Sequence, residues 1–237
     1  PKQLPPKCPS HLDRRAKREW KRMAPLLENL GLLTEIDGTA FGIYCLRDVF
    51  KIALTVLKDN AAWYCWHSHK RTHLIQRIWE ELGVLNHQQI IWMKPTATHC
   101  YSFYPWQHEP CMMGWKKSFK PRHDGDHSHR LTSVWQLDWE GKSRIVSNEH
   151  PTQKPVKIFA IPMRKHTLKG DICFEPFSGS GSQIIAGEQW GRVVYAMDIS
   201  PIFVDVSIRR WQEFTGHQAV LEGNGHIFEK IAEEREL

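Results

Sequence analysis

The sequence predicts an α/β domain in which a mostly parallel sheet is covered by helices on both faces, and three observations carry that expectation. From Leu46 onward, helical periodicity alternates with short apolar runs. One of those runs, Asp171 to Phe174, leads straight into the glycine-rich turn Glu175-Pro-Phe-Ser-Gly-Ser-Gly-Ser182 and then into a helical pattern. The next run closes on Asp198, 19 residues after Gly179, a spacing at which an acid meets a ligand held by such a turn.

Taken in order, a Pro-rich lead (Pro1, Pro5, Pro6, Pro9) gives way at Ser10 to a helix. Ser10 and Asp13 stand in capping-box spacing, and Leu12, Ala16, Trp20, Met23, Leu27 and Leu30 form its apolar stripe. Pro25 is expected to kink or split this helix, and Gly31 to stop it. Thr34 and Asp37 repeat the capping spacing and start a second helix through Phe41 and Tyr44. Strands are expected at Ala61 to Trp66, Gln88 to Trp92, Asp171 to Phe174 and Val193 to Met197. Residues 94–149, rich in His, Trp and Lys with little periodicity, read as a substrate-facing insertion or lid. A helix is expected from near Ser180, and a longer one from Ser200 to Phe214. The domain reading is a basic helical segment over 1–45 followed by an α/β domain over 46–237.

Composition narrows the function classes. A chain of 237 residues that is 41% apolar can bury a substantial core. No run of roughly 18 apolar residues is present to cross a membrane, and the basic start lacks the apolar segment of a signal peptide, so a cytoplasmic location is expected. The cysteines (Cys8, Cys45, Cys65, Cys100, Cys111, Cys173) show no paired spacing and argue against a disulfide framework. The net charge of +6 is an N-terminal property, since residues 1–25 hold eight Lys or Arg against two acids. That segment suits a phosphate backbone, although a solvated helix face explains it equally well.

The turn carries the chemistry. Gly179 and Gly181 let a ligand approach the backbone, and the free amides at the helix start face an anionic group. Asp198 is placed to accept hydrogen bonds from ribose hydroxyls, so loop and acid together predict a nucleoside cofactor. Ile184 stands where a dinucleotide fingerprint has its third glycine, and no Lys follows the glycines as in a phosphate-binding P-loop.

At this point the sequence resembles the beta-type DNA N6-adenine and N4-cytosine methyltransferases. His150-Pro-Thr-Gln-Lys-Pro-Val156 resembles the segment that precedes their cofactor loop, and Glu175 to Ser182 resembles the loop itself. The resemblance extends through Asp59 to His67, Gln88 to Lys94 and Trp106 to Trp115, covering about residues 46–217. It implies a Rossmann-like S-adenosylmethionine-dependent methyltransferase fold acting on double-stranded DNA, with adenine N6 ahead of cytosine N4 as the target amine. Thr152, Gln153, Lys154 and Pro155, with Glu175, Phe177, Gly179, Gly181 and Ser182, are implied to hold the methionine part of the cofactor, and Asp198 its ribose. Glu175 replaces the family's usual Asp, Asp198 its usual Glu, and Pro162 interrupts a helix that the family keeps continuous.

One element of the family pattern is absent. These enzymes orient the flipped base through an Asp/Asn/Ser-Pro-Pro-aromatic motif, expected upstream of the strand at Ala61. The sole Pro-Pro pair, Pro5-Pro6, lacks both the acceptor and the aromatic, and Tyr104-Pro105-Trp106 lacks the acceptor. The first strand and catalytic loop are therefore expected to be missing, and this chain to turn over little or not at all. Pro5 to Cys45, notably Ala16 to Trp20 and Leu30 to Glu35, instead resembles the N-terminal helices of a phage terminase small subunit. The alternative function is thus a noncatalytic phage DNA-binding protein that keeps a methyltransferase fold. A homodimer is compatible with the sequence.

Other signals are weaker. Cys100, His108, Cys111, His123, His127 and His129 lack the tight spacing of zinc sites, so no metal is expected. His108-Glu-Pro-Cys111 faintly resembles zinc deaminases, but Gly114 occupies the place of their second Cys. Trp63, Trp66, Trp79 and Trp92 are expected in the core, and Trp106, Trp115, Trp135 and Trp139 are candidates for contact with a base.

Overall fold

The computed structural model describes residues 38–97, 103–123, 131–138 and 153–236. The expected helix from Ser10 to Gly31 lies outside the described residues, as do residues 5–37 of the terminase-like stretch Pro5 to Cys45 and Cys100, His127, His129, Trp139, His150 and Thr152. The chain forms two compact units, residues 1–56 and 57–237. The first contributes the helix α1, Gly38–Val56, which begins directly after Asp37.

The second unit is an α/β assembly built on two sheets. In chain order it contains β1 (Trp63–Trp66), α2 (Thr72–Glu81), β2 (Val84–Met93), β3 (His108–Lys116) and β4 (Val134–Gln136). There follow α3 (Val156–His166), β5 (Ile172–Glu175), α4 (Ser182–Trp190), β6 (Val193–Ala196), α5 (Pro201–Thr215) and α6 (Phe228–Glu236). The larger sheet has the order β1-β3-β2-β4, and the smaller one is the parallel pair β5-β6. β3 runs antiparallel to both of its neighbours, so β1, β2 and β4 share one direction.

Within the stretch 94–149, expected as a substrate-facing insertion, residues 108–116 form an inner strand of the larger sheet. Its segment His108-Glu-Pro-Cys-Met-Met-Gly-Trp-Lys116 is buried from Pro110 to Trp115. A strand covered on both faces has no polar alternation to betray it. Trp115 and Trp135 are accordingly core residues, 9% and 5% exposed, and not base contacts.

Side-chain alternation sorts the core into two layers. Trp63 pairs with Gly114 across β1 and β3, and both meet Trp79 of α2; the Trp63 and Trp79 rings pack edge to face at 6.0 Å. Trp79 and Trp92 are fully buried. The opposite face carries Ile90, Cys111, Met113, Trp115 and Trp135, against which Tyr64 and Ile161 of α3 pack. Helices therefore cover both faces of the larger sheet, as the alternating pattern predicts. His87 is the extra residue of a bulge between β2 and β3, where the register shifts between Asn86 and Gln88.

α3 is continuous through Pro162, which corrects the expected interruption. A proline inside a helix removes one hydrogen bond, but Val156, Ala160 and Met163 on this helix are buried with Ile185 and Ala186 of α4 and hold it together. The same cluster covers one face of β5-β6 through Cys173 and Val194. On the other face Ile172, Val193 and Tyr195 are exposed. His166 at the end of α3 donates from Nδ1 to the Arg122 carbonyl, which leaves Nε2 to accept the Tyr64 hydroxyl at 2.9 Å. This bond links β1 to the helix that leads into β5. No helix among the described residues is long and apolar enough to cross a membrane.

Candidate functional site

The glycine-rich turn leaves β5 at Glu175 and enters α4 at Ser182. Gly179 and Gly181 both have positive φ, 54° and 74°, which glycine adopts without penalty. Gly181 is also a close approach, because a Cβ there would lie 2.9 Å from Cβ of Ser207 on α5. Ser207 in turn donates its hydroxyl to the Gly179 carbonyl at 2.9 Å. Arg210, one turn further along α5, donates to the Ser180 carbonyl. The turn is thus held in shape from α5.

Asp198 fixes the other side. Its two carboxylate oxygens accept the amides of Gly179 (2.8 Å) and Ser200 (2.9 Å). Sequence reasoning placed Asp198 at the site but missed this second task, since an acid at a strand end does not reveal which amide it meets. Each oxygen keeps a further lone pair. Glu175 Oε1 accepts the Phe177 amide at 2.8 Å; burial pushes the Glu175 carboxyl above its ordinary value, against the lowering effect of that amide and of Lys154. The Phe177 ring beside it is 56% exposed. α4 has Gly181 as its N-cap and no side-chain cap, so its first amides are directed to water or to an anionic group.

Gln153, Lys154 and Pro155 come from the distant segment before α3, and Lys154 joins them to the turn: its carbonyl accepts the Ser182 hydroxyl at 2.8 Å. Sequence-predicted residues separated by more than 20 positions therefore converge, with Thr152 outside the described residues. The Lys154 ammonium reaches further, to Glu109 Oε2 at 3.2 Å, while Lys94 meets Glu109 Oε1 at 3.0 Å. Burial acts to raise the Glu109 pKa, but the two ammonium groups outweigh it and hold the carboxyl below the usual value. Nothing in the sequence marked Glu109 as the bridge, because its partners lie at 94 and 154.

This bridge should be visible in stability. Glu109→Gln leaves two half-buried cations facing each other and is expected to cost about 1–3 kcal/mol, between the values for exposed and fully buried pairs. A carboxyl with a depressed folded-state pKa stabilises above its ordinary value and loses that contribution as pH falls through the lower one. The gap in melting temperature between parent and variant should be widest near neutrality and close in strong acid. A gap that does not change with pH would contradict the assignment.

The family model N6_N4_Mtase, DNA methylase, matches residues 43–209. The chain is 26% identical over 174 residues to the Type II methyltransferase M2.MboI of Moraxella bovis, spanning 69% of this chain and 63% of that protein. It is 22% identical over 174 residues to the Type II methyltransferase M2.DpnII of Streptococcus pneumoniae, spanning 69% and 65%. The matched region is thus a little under two thirds of the length of these curated relatives.

Among solved structures, the chain superposes on the M1.HpyAVI-SAM complex with a TM-score of 0.61 at 20% identity, covering 71% of this chain and 82% of that one. PvuII DNA methyltransferase, described as cytosine-N4-specific, gives 0.59 at 16% identity, covering 81% and 76%. TTHA0409 of Thermus thermophilus, complexed with S-adenosyl-L-methionine, gives 0.57 at 21% identity, covering 80% and 85%. These likenesses establish the Rossmann-like α/β fold. With residues 43–209 matched, the chain belongs to the N6_N4_Mtase family of DNA methylases.

Proposed function

We propose that this chain binds S-adenosylmethionine at the Glu175–Ser182 turn and is the cofactor-binding portion of a methyltransferase acting on an exocyclic base amine of double-stranded DNA, adenine N6 first. The observation that carries the reading is the register of three elements: the positive-φ glycines, Asp198 bonded to the Gly179 amide, and Lys154 bonded to Ser182. When bound, the cofactor supplies an electrophilic methyl group on sulfonium. The first amides of α4 suit its carboxylate, and Glu175, Phe177 and Gln153 to Pro155 border the same turn. Thr152 joins them by the resemblance alone. Asp198 has lone pairs left for ribose hydroxyls. The Lys- and Arg-rich residues 1–25 suit the phosphate backbone.

Calorimetric titration with S-adenosylmethionine tests the reading. The parent chain should bind, and Asp198→Ala should weaken binding at least about tenfold, because it removes the ribose acceptor and releases the Gly179 amide. No heat of binding from folded parent protein would sink the proposal.

A further inference from the structure

A second cluster lies at the carboxyl end of β1 and β2, where ligands of open α/β sheets bind. It comprises His67, just past β1, His69 in the short turn that follows, and Trp106 and His108 at the entry to β3. Lys94, just past β2, is tied to this end by a backbone bond to Gln107. The Lys154–Glu109 ion pair connects the cluster to the glycine-rich turn.

His67 has an unusual arrangement of partners. Its Nδ1 lies 3.0 Å from the Pro110 carbonyl. A carbonyl only accepts, so Nδ1 carries the proton and Nε2 presents a bare lone pair. That Nε2 is buried, and no partner meets it among the described residues. A buried acceptor left unpaired destabilises the fold, and an incoming N–H donor removes that cost. Burial first, then the charges of His69 and Lys154, bring the His67 pKa down to about 4, so the lone pair is available throughout the neutral range.

An aromatic wall begins two residues further along the chain, at His69. The His69 ring lies on Trp106 with centroids 4.0 Å apart and planes tilted by 34°, and His108 meets Trp106 at 5.4 Å. Trp106 is half-buried, and Phe103 and Tyr104 in the same loop are almost wholly exposed. Stacking rings beside a neutral acceptor suit a planar heterocycle that carries an exocyclic amino group.

We infer that His67 and the His69–Trp106 stack form a nucleobase site, in which Trp106 takes the face of the base and His67 Nε2 accepts a hydrogen bond from its exocyclic amine. The inference rests on the DNA methylase reading, and it places the amine on the side of the sheet that Lys154 joins to the turn. An acceptor drawing on one amine N–H also localises the nitrogen lone pair.

The test uses the full chain and single-stranded oligonucleotides of about 12 residues, oligo-dA against oligo-dI, which lacks the exocyclic amine. The parent should prefer oligo-dA by about tenfold. His67→Ala should erase that preference while leaving oligo-dI binding unchanged, and His67→Gln, whose amide oxygen can accept, should retain part of it. Trp106→Ala should weaken both ligands about tenfold. Equal affinity of the parent for the two oligonucleotides, or a preference that survives His67→Ala, overturns the inference; if His67→Ala does not fold, the parent comparison and His67→Gln decide. Titration with S-adenosylmethionine is run on the same samples and should be unaffected by His67→Gln. A parent that prefers oligo-dA yet binds no S-adenosylmethionine separates failure of the cofactor reading from failure of this one.

Discussion

Gly114→Ala should prevent stable folding of the larger sheet. A Cβ at Gly114 overlaps the Leu85 carbonyl oxygen and lies 2.8 Å from the Trp79 ring. The first obstacle is backbone and the second is a fully buried indole, so neither can swing aside. The position pairs with Asn86, beside the bulge at His87, and glycine in a strand commonly marks such an approach. Overpacking ordinarily costs about 1–3 kcal/mol, and a collision with backbone in a central strand belongs to the exceptional class above about 4 kcal/mol. That is a large part of a domain's total stability. Urea unfolding followed by tryptophan fluorescence would measure it, and a midpoint close to the parent's would show that the strands can separate to admit a methyl group.

Gly181→Val should have the largest effect on ligand binding with the fold retained. Two costs coincide at this position: φ is 74°, which a β-branched residue tolerates poorly, and the new Cβ lies 2.9 to 3.1 Å from the side chain and Cα of Ser207. Relief requires α5 to move away, which breaks the bond from Ser207 to the Gly179 carbonyl and reshapes the turn. Affinity for S-adenosylmethionine is expected to fall by about 100-fold, about 2.7 kcal/mol, measured by calorimetry on samples whose circular dichroism matches the parent. Unchanged affinity would mean that the cofactor is held elsewhere.

Both substitutions bear on what the sequence made legible. The path from β5 through the turn to α4 and β6 was readable because each step is local: strand, positive-φ glycines, helix start and acid follow one another within Asp171 to Asp198. Gln153 to Pro155 were singled out through a motif, not through geometry. β3 escaped because Pro110 and Gly114 punctuate it like a loop and its buried faces erase alternation. Its proline still offers a carbonyl, which accepts both the amide and Nδ1 of His67. Pro162 misled in the other direction, since periodicity says nothing about the neighbour that holds α3 together. Glu109, His67 and the pinning role of Asp198 depend on contacts between segments far apart in sequence, and no single segment carries that information.

The uneven placement of the tryptophans has a spectroscopic consequence. Trp63, Trp79, Trp92, Trp115 and Trp135 are all buried in the larger sheet and its helix α2, whereas the half built on β5 and β6 holds Trp190, which is 38% exposed, and Trp211. Intrinsic emission from this protein is therefore weighted toward one half of the molecule. Loss of structure around the glycine-rich turn alone would leave most of the signal in place, and would register instead as lost helix ellipticity from α3, α4 and α5. Comparing the two signals along one denaturant series would separate opening of the cofactor half from global unfolding.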